Sequence, residues 1–263
     1  MRADCHIHID KIGGPHKTQP PSVDMFLEYA RREQISLFFA IYELDETLKR
    51  FRATGFDFVP IYWERKPLNP SIPDSAWGIK LHPYIEEYTL TIENVEPVLE
   101  EARARNLFVL IHTEDRRPEL SRGRLVAELA NEYQDLTFIM AHSGSYAPPR
   151  MDRPGESWVE PNLVEELVLE AVEVACDHRN VYLETSILAS DIKAKALAEA
   201  PVSQLLIGCD FPILEGTHWS SLRFQEEQLI RHGLNAGDIE QIHNNAMSFF
   251  QRMNGPNSYK AIR

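Results

Sequence analysis

The chain has 263 residues, 43% of them hydrophobic and 25% charged, and a formal net charge of −13. This is the composition of an ordinary globular protein: it excludes intrinsic disorder, and no apolar run approaches the roughly 18 residues of a membrane-spanning helix. The acidic balance repels polyanions at long range and argues against nucleic acid as the main partner, while leaving room for a small anionic substrate in a locally basic pocket.

The strands expected from short β-branched or aromatic apolar runs are 3–9, 35–42, 56–63, 77–82, 107–112, 136–142, 181–186 and 205–210. Helical patterns fall between them at 22–34, 43–54, 92–105, 118–133, 160–178, 189–200 and 218–232, with a last helix at 236–252. Gly55 and Gly233 each follow a helical stretch as a C-terminal cap. Asp238 stands near the start of the last helix, where a carboxylate favours the positive end of the dipole. Residues 64–76 carry three prolines and cannot form a normal helix, so the third crossover is expected to be short or missing.

Strict alternation of strand and helix predicts parallel pairing with right-handed crossovers. Eight strands and a length near 250 residues predict a single (β/α)8 barrel, distorted at the third helix, over residues 1–263, with 254–263 as a short tail. An open doubly wound sheet is the alternative, but no glycine-rich phosphate turn follows the first strand. Cys5, Cys176 and Cys209 are too few and too far apart for a disulfide framework or a structural zinc cluster, and a reducing cytoplasmic compartment is expected. The chain starts almost directly on a strand-like run, so no signal or transit segment is expected. Cys5 and Cys209 fall one position out of phase with polar neighbours and read as buried packing on the opposite face.

Six polar side chains end these apolar runs: His6 and His8, Lys80, His112, His142 and Asp210. In an α/β barrel, the C-terminal strand ends carry the chemistry. His6 and His8 are two apart on a strand, so both imidazoles face one way and can reach one ion. A purely structural role would bury six titratable groups at one rim against a large desolvation cost. Further groups share that rim. His82 lies on the face of Lys80 and can line a pocket. Glu184 ends the seventh strand, where it can line the substrate space or orient a ligand imidazole, with Thr185 and Ser186 as bland rim residues. Tyr42, Trp63, Tyr84, Tyr146 and Trp158 offer aromatic surface to a small organic ligand. The longest loops after strands, 10–21 and 143–159, are expected to set specificity. Arg150, Arg153, Arg116 and Arg117 can clamp a carboxylate or pair with the acids interleaved among them. His16 and His218 are weaker candidates for substrate contact. His178, His232 and His243 read as surface or capping residues.

Asp4-Cys5-His6-Ile7-His8, Gly78-Ile79-Lys80-Leu81-His82-Pro83, Ile111-His112-Thr113, Ala141-His142-Ser143-Gly144 and Gly208-Cys209-Asp210-Phe211-Pro212, in this order, resemble the amidohydrolase superfamily. The likeness is closest to its compact metal-dependent hydrolases, the branch that includes metal-dependent decarboxylases of aromatic and muconate-type acids. The last helix, with Ile242-His243-Asn244-Asn245-Ala246-Met247-Ser248-Phe249-Phe250, resembles the family's terminal helix. The resemblance runs from residue 3 to about 250.

It implies that His6, His8, His112 and Asp210 hold a divalent metal, zinc above all, and that His142 lies beside the metal's water or holds a second ion. Asp210, His142 and Lys80 would be catalytic; from their rim and loop positions, His82, Glu184, Tyr84, Trp63 and Arg150 are expected to meet substrate. Lys80 has three readings: a carboxylated bridge between two metals, a contact to substrate or water, or an ion pair with Glu184 or Asp210. One ion is favoured, with two if Lys80 is carboxylated. Hydrolysis of a small amide, ester or lactone is the leading activity. Decarboxylation of a small aromatic or enoic acid follows, then a non-catalytic barrel that binds metal or metabolite. Phosphoester hydrolysis is disfavoured by Lys80, where those relatives carry a glutamate. The partner expected is a small molecule, with no nucleic acid or membrane; barrels of this kind often form homo-oligomers, though no apolar helix face stands out.

Overall fold

Eight parallel strands form one sheet in which each pairs with the next in the chain. They are β1 (Arg2–His8), β2 (Ile35–Tyr42), β3 (Asp57–Trp63), β4 (Gly78–Leu81), β5 (Phe108–His112), β6 (Phe138–Ala141), β7 (Val181–Glu184) and β8 (Leu205–Leu206). The computed structural model describes residues 1–10, 20–146, 159–188, 190–213, 215, 217 and 221–254. The sheet closes on itself where Cys5 N–H donates to Ile207 O at 2.8 Å and His8 N–H to Phe211 O at 2.7 Å. The fold is a (β/α)8 barrel, as the alternation predicts.

Helices α1 (Val23–Glu33), α2 (Asp45–Arg52), α4 (Ile92–Ala104), α6 (Gly123–Glu132), α7 (Pro161–Asp177), α8 (Asp191–Ala198) and α9 (Leu222–Arg231) cover the outside. Between β3 and β4 there is no helix. Glu64 there accepts from the backbone N–H groups of Lys66 and Ser71, and Arg105 donates to Ile72 O and Pro73 O. The carboxylate and guanidinium thus satisfy backbone groups that three prolines keep from forming a helix. Two one-turn helices, α3 (Pro83–Glu86) and α5 (Pro118–Ser121), follow β4 and β5. The single helix expected at 118–133 is split, because Arg122 is extended (φ −75°, ψ 166°) and its guanidinium bonds Glu170 and Glu166 on α7.

Strand alternation sorts the core into two shells. Leu37, Phe39, Ile41, Ile61, Trp63, Leu110, Ile139 and Leu206 fill the barrel; Phe38, Ala40, Ile79, Val109, Met140, Leu183 and Cys209 pack against the helices. The long last helix α10 (Ala236–Asn254) closes the N-terminal end: Phe249 meets Phe39, Phe108 and Tyr182 edge to face. Asn245 on the same helix donates to Val202 O and Leu205 O. The polar strand ends gather at the opposite, C-terminal end of the barrel. No helix among the described residues is long and apolar enough to cross a membrane.

Candidate metal centre

At the C-terminal strand ends, His6 Nε2 lies 3.4 Å and His8 Nε2 3.2 Å from Asp210 Oδ1, and the three residues offer ligand atoms all within 4.8 Å of one another. Donor atoms of a tetrahedral site with bonds of about 2.0–2.1 Å stand roughly 3.3 Å apart, the spacing seen here. His6 Nε2 and both Asp210 oxygens are buried without a hydrogen-bond partner. Such atoms pointing at one space, unbonded to each other, fit a divalent cation between them.

The strands aim these groups by breaking their own regularity. Asp4 pairs with Phe38 and Ile7 with Ala40, so β1 spends one residue more than β2 between the two pairs. This is a bulge. Cys5 and His6, adjacent in sequence, therefore both turn inward: Cys5 joins the interior cluster and the His6 ring lies 5.0 Å from that of His142. The expected buried packing of the two cysteines holds, but Cys5 faces the interior while Cys209 joins the outer shell. His142, Ser143 and Asp210 have φ of 63°, 47° and 55°, a left-handed backbone that costs energy for residues with a Cβ.

The five expected ligands are not all brought to one point. His112 is turned toward His142, Nδ1 to Nε2 at 3.1 Å, and its Nε2 lies 3.4 Å from Glu114 Oε2. His142 Nδ1 meets Ser186 Oγ at 2.8 Å. The His142 ring lies beside His6 and groups with His6 and Glu184, and His112 packs on the far side of it and on His82.

Burial, reinforced by Lys80 and neighbouring imidazoles, pushes the pKa of His6, His82 and His142 well below the usual histidine value. Burial also lowers that of His112. Neutral imidazoles are what a metal requires. Burial works against the Asp210 carboxylate, yet His6, His8 and Lys80 outweigh it and its pKa falls. Lys80 is buried, its Nζ has no hydrogen-bond partner, and burial brings its pKa down to about 8. The ion pair with Glu184 or Asp210, one of the three readings of Lys80, is not formed.

Glu184 is saturated by protein. Its Oε2 takes His6 Nδ1 at 2.8 Å and Ser186 Oγ at 2.7 Å, and its Oε1 accepts from Ser186 N–H at 2.6 Å. Its carboxylate thus fixes the His6 imidazole and the Ser186 hydroxyl. Ser186, expected to be bland, links Glu184 to His142; its spacing of two from Glu184 was the available signal. Lys193 was missed: buried on α8, it donates to the carbonyls of Ser145 and Ser186 and holds the loops after β6 and β7 together. Nothing in a lone helical lysine announces this.

Trp63, His82 and His112 form a stack, with ring centroids 5.3 Å and 3.7 Å apart and planes within 17°. Arg65 covers the outer face of Trp63 at 4.3 Å while bonded to Glu43 and Glu86. His82 Nδ1 also accepts from Ile85 N–H at the start of α3. Arg116 lies over Tyr84 at 4.7 Å and is paired with Glu114, and exposed Arg117 pairs with Glu119, so neither arginine is a free clamp. Arg150, Arg153, Trp158, His16 and His218 lie outside the described residues. His243, expected at the surface, is buried between Ala3 N–H and Glu226.

The amidohydrolase family model matches residues 39–252. No curated protein sequence matches the chain. Among solved structures, the chain is similar to a probable 2-pyrone-4,6-dicarboxylic acid hydrolase of Acinetobacter baumannii with citric acid bound, at 12% identity and a TM-score of 0.63, over 95% of this chain and 98% of that one. An amidohydrolase of Burkholderia multivorans with bound HEPES gives 12% and 0.66, covering 95% and 99%. The 4-oxalomesaconate hydratase of Rhodopseudomonas palustris gives 15% and 0.61, covering 96% of each chain. At these identities the structures attest the barrel fold alone. The family match spans most of the barrel, and this chain belongs to the amidohydrolase family.

Proposed function

We propose that the protein is a metal-dependent hydrolase that uses water to open an amide, ester or lactone bond in a small carbonyl substrate. The observation that carries this reading is the convergence of unpaired buried atoms: His6 Nε2, both Asp210 oxygens and Lys80 Nζ. Each costs on the order of 1–3 kcal/mol or more if left unsatisfied. His6, His8 and Asp210 would hold one divalent cation, zinc being the expected metal for imidazoles with a carboxylate. His112 and His142 stand beside them, joined to each other through Nδ1 and Nε2, and would serve as further ligands on separating; a second ion requires carboxylated Lys80. A bound ion supplies polarisation of the substrate carbonyl and acidification of a water.

The protein's own groups do the rest. Asp210, kept ionised by its cationic and imidazole neighbours, takes the proton of the attacking water on Oδ2 and returns it to the leaving group. Glu184 holds the Nδ1 proton of His6 and so directs the Nε2 lone pair inward. His142, neutral and oriented by Ser186, contacts the water or the substrate oxygen through Nε2 when that atom parts from His112. Lys80 donates to negative charge on the substrate. Trp63, His82 and Tyr84 are proposed to border the substrate by their ring edges, since His82 and Arg65 cover the faces of Trp63 and His82 lies between Trp63 and His112, and Arg150 is proposed as a contact to a substrate anion.

Two of the similar structures bear the names of a hydrolase and a hydratase, activities that both add water, which supports this reading. Decarboxylation on the same site is the second reading, favoured by the buried Lys80 Nζ, which has no hydrogen-bond partner and suits the carboxylate of a small acid. Elemental analysis tests the metal: the wild type is expected to hold about one zinc per chain, and His6→Ala and Asp210→Asn to lose it. Undiminished metal in both variants sinks the assignment. Carbon dioxide release from an aromatic or enoic acid without water uptake would replace hydrolysis by decarboxylation.

A further inference from the structure

The metal-centre reading leaves unexplained a buried carboxylate directly behind it. Asp4 is 0% exposed and points away from the barrel interior, toward α1. Its Oδ1 accepts from two backbone N–H groups, His6 at 3.0 Å and Cys209 at 3.1 Å. Its Oδ2 accepts from Tyr29 Oη at 2.5 Å, and the Tyr29 ring is stacked on Phe211 at 4.4 Å. No cation pairs with it among the described residues.

These partners coincide with two defects in the barrel. The bulge in β1 leaves the N–H of His6 outside the ladder. Across the seam, β8 has only two ladder residues. The contacts that continue it are Cys5 N–H to Ile207 O and His8 N–H to Phe211 O, which skip the N–H of Cys209. One carboxylate oxygen satisfies both orphans. The first belongs to a proposed ligand, and the second to the residue before another.

We infer that Asp4 is a positioning residue that sets the separation of His6 and Asp210 by tying their backbones to a single oxygen, with Tyr29 holding the carboxylate in place. The inference rests on the metal-centre reading. A residue that merely filled the seam would affect folding stability; a positioning residue also sets metal affinity.

The test measures zinc affinity by competition with a chelating dye at neutral pH, beside circular dichroism and thermal melting, for the full chain. Asp4→Ala is expected to weaken zinc binding about 10- to 100-fold, as loss of a group behind a ligand does. Asp4→Asn is expected to rescue it to within about threefold, because Oδ1 still accepts both N–H groups and the new amide donates to the Tyr29 oxygen. Folded Asp4→Ala with wild-type affinity overturns the inference, as does Asp4→Asn no tighter than Asp4→Ala. Should Asp4→Ala not fold, Tyr29→Phe decides: a loss of about threefold or more supports the inference, and an unchanged affinity overturns it. A wild type that takes up no zinc removes the metal reading and this inference with it, an outcome distinct from normal wild-type binding with unaffected variants.

Discussion

Glu184 Oε2 lies 2.8 Å from His6 Nδ1, and the same oxygen accepts from the Ser186 hydroxyl whose own oxygen is 2.8 Å from His142 Nδ1. One buried carboxylate therefore sets the ring orientation of two imidazoles, one on β1 and one just past β6. A ligand imidazole needs its distal N–H held if its other lone pair is to face the ion.

Replacing Glu184 by glutamine should loosen this arrangement, because the amide presents a donor where His6 needs an acceptor. Zinc affinity is expected to fall about 10- to 100-fold, measured by dye competition. Unchanged affinity in a folded Glu184→Gln protein would show that the carboxylate does not act on the ligand.

Gly208 has no room for a side chain. A Cβ there would stand 2.5 Å from Glu184 Oε1 and 2.9 Å from His6 N and Cβ. Gly208→Ala is expected to displace Glu184 and the β1 backbone, lowering the melting temperature and the zinc content together. A melting temperature and zinc content both equal to wild type would contradict the close packing.

Lys80 carries a pH signature. Its pKa falls from 10.5 to about 8 through burial, so between those values the unfolded chain binds the extra proton and the folded one does not. Stability of the chelator-stripped protein should therefore rise with pH across that window, and below it the buried cation costs on the order of 1–3 kcal/mol. Lys80→Met should be the more stable form at pH 7 and lose the rise. Denaturant titrations at several pH values check this, and parallel curves for the two proteins would rule it out.

Trp63 is expected to act on substrate binding. Its ring faces His82 in the stack, and its indole N–H is buried without a partner. Once a substrate is in hand, Trp63→Leu should raise KM about 3- to 10-fold with little change in kcat, while Trp63→Phe keeps an aromatic ring in the stack on His82 and most of the affinity. A fall in kcat alone would place Trp63 in the chemical step instead.

The eight strands, the missing third crossover helix and the rim position of His6, His8, Lys80, His112, His142 and Asp210 are written in local patterns. Alternating burial specifies which residues face inward, and prolines at 64–76 forbid a helix whatever surrounds them. The closing helix was equally legible, since its apolar residues have only the barrel floor to cover.

Other features depend on groups far apart in sequence. Whether His112 turns to an ion or to His142 depends on two strands and a loop meeting in space, and no spacing within either motif encodes it. The bulge that turns both Cys5 and His6 inward is visible only as a mismatch between β1 and β2. The pairing of Arg116 with Glu114, the saturation of Glu184 and the isolation of Lys80 follow from which partners burial brings within reach. The sequence by itself determined the barrel and the rim on which its polar side chains gather, because periodicity and backbone sterics act over a few residues. Only the tertiary structure decided which of those side chains converge and which satisfy one another, because hydrogen bonding and desolvation in a buried site are settled by neighbours up to 205 positions apart, as Asp4 and Cys209 are.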